Sequence, residues 1–165
     1  MTIFIRKLNP KKDVGDDYLK WMNDYEVHKY TEQKNKKHTI KEIKKFVKEK
    51  NKFKNEFLYG IFFKKKHIGN IKLGPIRFVH KSAEISYFIG KKELWGKGYT
   101  NKAIKLLIKK AKMKGLKKLK AGFHELNKSS EKVLIKSGFK KEAVFKSELQ
   151  FKKKRYKHIF YGKII

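Results

Sequence analysis

One hexapeptide limits the fold of this chain more than any other feature. Trp95-Gly96-Lys97-Gly98-Tyr99-Thr100 joins an alternating, strand-like run, Ala83 to Gly90, to a helical run beginning at Asn101. In that helix Ala103, Ile104, Leu107, Ile108 and Ala111 fall on one face, and Gly115 closes it. Leu116 to Phe123 then returns as a strand. Strand, turn, helix and strand in this order predict a right-handed crossover between parallel strands. The turn also has the chemistry of an anion site. Two glycines let the backbone bend with its amides converging, and the helix start adds unpaired N–H donors and the positive end of the helix dipole. A pyrophosphate fits such a turn; a plain glycine-rich connection without a ligand is the alternative.

The rest of the chain reads as short alternating elements. Ile3 to Leu8 is a strand, Asp16 to Met22 a short helix, and Asp24 to Tyr30 a second one. Thr39 and Glu42 have capping-box spacing ahead of a helix from about Ile40 to Lys50. Phe57 to Phe63 and His67 to Leu73 form a hairpin about Lys64-Lys65-Lys66. After the crossover, Asn127 to Ser137 is a helix stopped by Gly138, and Phe145 to Phe151 with Tyr156 to Ile164 is a closing hairpin. No linker or repeat interrupts residues 1–165, so one mixed α/β (α+β) domain is expected.

Composition excludes several classes. A hydrophobic content of 39% supports one buried core, and no run of about 18 apolar residues exists. A soluble cytoplasmic protein with no membrane partner is the expectation. With no cysteine there is no thiol nucleophile, disulfide or cysteine metal site, and no metal is called for. The net charge of +31 invites nucleic acid, but only Arg6, Arg77 and Arg155 among the 46 basic residues are arginine. Base readout favours the guanidinium fork, and the lysines are spread along every segment, so no specific nucleic-acid partner is expected. Anionic small molecules are attracted by such a field and polyamines repelled.

Taken together, the Trp-Gly-Lys-Gly-Tyr-Thr loop, the following helix and strand, Asn127-Lys128-Ser129-Ser130 and Lys136-Ser137-Gly138-Phe139 resemble the GNAT superfamily of acetyl-CoA-dependent N-acetyltransferases. The branch most resembled contains ribosomal-protein alanine and spermidine acetyltransferases. The resemblance implies a central mixed sheet of about seven strands with a splayed central pair, flanked by helices. It implies acetyl-CoA as co-substrate, its pyrophosphate on the amides of Gly96, Lys97, Gly98, Tyr99 and Thr100, with Trp95 heading the loop. The pantetheine would pair with free backbone groups near Phe88, Ile89 and Gly90, where a bulge-like splay leaves an N–H for the oxyanion. Asn127 and Ser130 either contact the pantetheine or cap their helix.

The implied reaction is direct attack of a primary amine in a ternary complex. Glu84 is the general-base candidate, against a surface or salt-bridged strand residue; His124 is the second, against simple packing. Leu134 stands where many members carry an acidic tyrosine, which leaves Ser130, Tyr87 or water as proton donor. Trp21 and Tyr30 either line the acceptor pocket or belong to the core. A small-molecule amine, preferably a nucleotide-linked aminosugar, is the expected acceptor. A protein N-terminus and a non-catalytic GNAT-like binding module are the alternatives, and the chain is a monomer or homodimer.

Overall fold

The computed structural model describes residues 3–165, and its elements follow the apolar periodicities of the sequence. Ile3–Lys7 (β1) precedes three helices, Asp16–Met22 (α1), Tyr25–His28 (α2) and Ile40–Lys50 (α3). Phe57–Phe63 (β2), Lys66–Arg77 (β3) and Ser82–Ile89 (β4) follow, then a 3-10 turn at Lys92–Leu94 and the helix Tyr99–Met113 (α4). Lys118–His124 (β5), Lys128–Lys136 (α5), Lys140–Phe151 (β6) and Lys154–Ile164 (β7) complete the chain. All seven strands share one sheet in the order β1-β2-β3-β4-β5-β7-β6. Only β4 and β5 pair in parallel, the crossover that the hexapeptide requires.

Local chemistry accounts for the boundaries. Thr39 caps α3 as a full capping box, its N–H donating to the Glu42 carboxylate at 2.8 Å while the Glu42 N–H donates back to its hydroxyl. Two strands run longer than their apolar patterns. β3 continues past Pro75 because the register shifts between Leu73 and Ile76, and the Ile76 N–H donates to the Asn55 carbonyl at 2.8 Å. Gly74 there has φ +121, and the Asn55 carbonyl occupies the space of a β-carbon. β6 begins at Lys140 rather than near Phe145. As an edge strand it is exposed along most of its length, so it has no apolar alternation to read.

Helices cover the sheet on both faces. On one, Ala103, Ile104, Leu107 and Ala111 of α4 and Leu134 of α5 pack on Ile61, Ile71, Leu73 and Leu119, all buried. Truncating such a residue, as in Leu107→Ala, costs about 2–5 kcal/mol. On the other, Tyr18 and Trp21 of α1 and Ile43 and Val47 of α3 cover Leu58 and Phe62. A buried amide joins α4 to α5. Asn101 Nδ2 donates to the Val133 carbonyl and the Ser137 hydroxyl, both at 2.9 Å, fixing the start of α4 to the far half of α5. Among the described residues no helix is long and apolar enough to cross a membrane.

Both two-residue hairpin loops are built from lysine. Lys64 and Lys65 have φ of 49 and 62, and Lys152 and Lys153 have φ of 48 and 62, the left-handed geometry in which Asn-Gly is favoured. Replacing Lys64-Lys65 by Asn-Gly (Lys64→Asn with Lys65→Gly) should therefore stabilise the fold by about 1 kcal/mol, read as a raised thermal midpoint.

Candidate active site

β4 and β5 pair at only three positions, Ser82 with Lys118, Ala83 with Leu119 and Glu84 with Lys120. Beyond Glu84 they part, each still held by its outer neighbour: β4 by β3 as far as Ile89, and β5 by β7 as far as His124. The Gly90 N–H donates to the Ile68 carbonyl at 2.9 Å, so Gly90 and, two residues back, Phe88 turn their backbone groups toward β3. Strand alternation then aims those of Tyr87 and Ile89 into the gap. Within the expected stretch from Phe88 to Gly90 the free groups are thus those of Ile89, joined by those of Tyr87. The β3–β4 register runs unbroken from Gly69 to Leu73, the Ile68 carbonyl accepts both the Gly90 N–H at 2.9 Å and the Lys91 N–H at 3.5 Å as at a bulge, and the gap opens where β5 departs. Gly90 is glycine because the Trp21 ring lies where its β-carbon would be.

At the open end of the gap the chain turns into α4. Gly96 and Gly98 have φ of +73 and +76, and nothing stands within 4 Å of a β-carbon built on either, so conformation rather than crowding selects glycine. Gly98 is the N-cap of α4, with no side-chain cap and no acidic residue in the first turn. The first-turn N–H groups thus have no side-chain cap, as a pyrophosphate site requires. Trp95 has a different role from the loop amides: its indole N–H donates to the Ile89 carbonyl at 2.8 Å, tying the loop to the end of β4. That bond leaves the Ile89 N–H as the free group at the strand end.

Tyr87 reaches from β4 under the gap to α5, where its hydroxyl lies 3.0 Å from Ser130 Oγ. Burial pushes the phenol up to about 12, so it stays protonated at neutral pH. Asn127 caps α5 by accepting from the Ser130 N–H at 3.2 Å and the Ser129 hydroxyl at 2.8 Å, which realises the capping alternative for its oxygen. Tyr87, Ser130 and Asn127 are therefore one connected group.

The two base candidates lie at opposite ends of the gap. Glu84 lies at the closed end of the gap, ion-paired with Lys120 at 3.0 Å, and a strand rise of about 3.3 Å per residue puts it roughly 10 Å from Tyr87. His124 does stand at the open end, but its Nδ1 accepts the Leu126 N–H at 3.2 Å, which leaves the proton of the neutral ring on Nε2. That nitrogen is buried and has no hydrogen-bond partner among the described residues, and burial lowers the pKa of the ring. Trp21 is core, 5.2 Å from the His67 ring and buried. Tyr30 lies at the mouth, 5.3 Å from the His124 ring and 5.7 Å from Phe151.

Beside this mouth a cleft of ≈ 420 Å³ runs between Tyr25, Lys34 and Asn35 and the β6–β7 turn, Gln150 to Lys153. No carboxylate lines it. Lys34 Nζ donates to the Gln150 carbonyl at 2.8 Å, clasping the two walls. A smaller recess shares Tyr25 and Lys34 and reaches His28, whose ring stands edge-on to Phe88 at 5.0 Å. Its one carboxylate, Asp24, is held by Lys92 at 2.6 Å. Lys34 and Phe151 lack any signal in the sequence, since they meet only through the folding of the α2 side and the last hairpin onto the sheet. Among the described residues no cluster of metal-ligating side chains is present.

Residues 2–140 match the family described as the acetyltransferase (GNAT) domain. The fold is shared with the RimL ribosomal L7/L12 alpha-N-protein acetyltransferase solved with coenzyme A (TM-score 0.88, 16% identity, 99% of this chain and 94% of that one). It is shared with the microcin C7 self-immunity acetyltransferase MccE solved with acetyl-CoA and AMP (0.83, 22%, 99% and 92%). The spermidine N-acetyltransferase of Vibrio cholerae, solved with CoA and spermine, is similar as well (0.86, 18%, 98% and 95%). No curated protein matches the chain in sequence.

His28 gives the site a pH signature. Burial, then the neighbouring His38, push its pKa down to about 4 from 6.5, so the unfolded chain binds more protons than the folded one between these values. Stability is full above pH 6.5 and falls toward pH 4, by about 3 kcal/mol from this residue. Denaturant titrations of wild type and His28→Gln across that range should show a shallower acid loss in the variant.

Proposed function

The chain belongs to the acetyltransferase (GNAT) family, and on that footing we propose that it moves the acetyl group of acetyl-CoA to the primary amine of a small molecule bearing an anionic group. A nucleotide-linked aminosugar is the preferred form. The observation that carries this reading is the carboxylate-free cleft beside the splayed strands, whose charged groups are Lys34, Lys152 and Lys153. These suit phosphate, and Tyr25 and Phe151 offer faces for a ring. A polyamine would meet three like charges there and no counter-ion. The fold shared with an acetyltransferase solved with AMP is consistent with a nucleotide-bearing acceptor.

Acetyl-CoA supplies a thioester whose carbonyl carbon the amine attacks directly. The uncapped first turn of α4 holds the pyrophosphate, and the Ile89 N–H at the strand end donates to the carbonyl oxygen as charge builds on it. The Tyr87–Ser130 pair faces the departing sulfur. A phenol near 12 is too weak an acid to give its proton to a thiolate whose own pKa is about 8.5, so the pair stabilises the thiolate by hydrogen bonding. The proton of the attacking amine leaves through water. The lysines lining the cleft lower the pKa of that amine, which favours its free base.

Free-CoA release measured across aminosugar nucleotides, peptides and polyamines tests the acceptor: turnover confined to the nucleotide-linked amines supports the reading, and turnover of spermidine alone overturns it. Tyr87→Phe removes a hydrogen bond to developing charge and should lower kcat about 10- to 100-fold with KM for acetyl-CoA little changed. Glu84→Gln, by contrast, should cost less than about threefold, since Lys120 already holds that carboxylate at the closed end of the gap. A larger loss with a shifted pH profile would restore Glu84 as base.

A further inference from the structure

The end of the sheet opposite the gap has its own character. Among the described residues four large apolar side chains exceed 60% exposure, Val79 at 92%, Met113 at 86%, Ile164 at 73% and Phe78 at 62%, and topology brings all four to this pole. Ser82, Lys118 and Ile164 stand level on β4, β5 and β7. Phe78 and Val79 occupy the β3–β4 turn just before Ser82, and Met113 ends α4 just before β5. The pieces are also bonded together: the Lys117 N–H donates to the Lys81 carbonyl at 2.7 Å and the Ile165 N–H to the Lys117 carbonyl at 2.9 Å.

Cations surround these side chains. Arg77, Lys81, Lys112 and Lys117 are exposed, and none is ion-paired among the described residues. The pole's carboxylates are already engaged, Glu56 by Lys50 and Lys72 and Glu142 by Lys118. Free positive charge around protruding aliphatic tips selects one kind of partner. RNA is bound through stacking rings and guanidinium forks, of which the pole has one each, Phe78 and Arg77, whereas its three most exposed apolar side chains, Val79, Met113 and Ile164, are aliphatic and offer neither. A second copy of the chain would bring another +31 against the first.

We propose that this pole docks on an anionic lipid bilayer, its apolar tips entering the headgroup boundary while the lysines meet lipid phosphates. Such a pose leaves the donor loop and acceptor cleft facing away from the membrane. It also reverses the sequence-based expectation of no membrane partner, because a patch assembled from two turns and a chain end contains no apolar run.

A chain of this charge adheres to any anionic surface, so the test turns on charge-neutral substitutions. Sedimentation with phosphatidylcholine vesicles containing phosphatidylglycerol should show Phe78→Ser with Val79→Ser binding about tenfold more weakly than wild type. Phe145→Ser removes an exposed ring level with the open end of the gap, 52% exposed, and should bind as wild type does. Because the chain has no cysteine, Val79→Cys carries a single environment-sensitive dye, expected to report an apolar surrounding on mixed vesicles and none on phosphatidylcholine alone. Unchanged vesicle binding by the serine pair, an equal loss in Phe145→Ser, or a silent dye overturns the proposal, as does a serine effect seen only with RNA.

Discussion

The structure depends on a ladder that stops. Parallel pairing of β4 with β5 ends after Glu84 and Lys120, and what prevents it from continuing is the strength of the attachments on either side. β4 is bonded to β3 to its last residue and β5 to β7 to its last residue, so closing the gap would require one of these antiparallel ladders to turn. The buried Tyr87 ring, hydrogen-bonded to Ser130, fills the space beneath. Two strand edges thus keep unpaired backbone groups in the middle of a sheet, where such groups are costly unless something supplies partners. A linear ligand with amide groups of its own is the natural supplement.

The site is completed by three loops with separate duties. The glycine turn presents amides, while Trp95 at its head spends its only polar group on the Ile89 carbonyl and so positions the turn against the strand. Asn127 orders the start of α5 and, through Ser130, the phenol of Tyr87. The clasp of Lys34 on Gln150 joins the α2 side to the last hairpin across the mouth, bringing together residues 116 positions apart.

Legibility in the sequence followed the range of the interaction. The helix faces, the Thr39–Glu42 capping box, the Lys64–Lys65 hairpin and the glycine turn are local patterns, and each appears where its pattern stands. Elements whose exposure is set by distant partners were harder: β6 at the sheet edge shows no alternation, and β3 passes Pro75 because Asn55 completes its ladder from another loop. The site divides the same way. Gly96, Gly98 and the Asn127 cap were legible; the ion pair that occupies Glu84, the backbone bond that fixes the His124 tautomer, and the Trp21 ring that explains Gly90 all depend on neighbours from other elements.

The buried amide of Asn101 ties these parts metrically. By binding Val133 and Ser137 it fastens the start of α4 to the far half of α5, so α5 becomes a spacer between the phosphate turn and Ser130. From Ser130 to Ser137 a helix advances roughly 10 Å, a length that hydrogen-bonded backbone does not readily change. On the proposed reading this fixed length acts as a gauge for the donor: an acyl carrier with a longer or shorter arm would deliver its carbonyl away from the Ile89 amide, so that geometry would discriminate among thioesters.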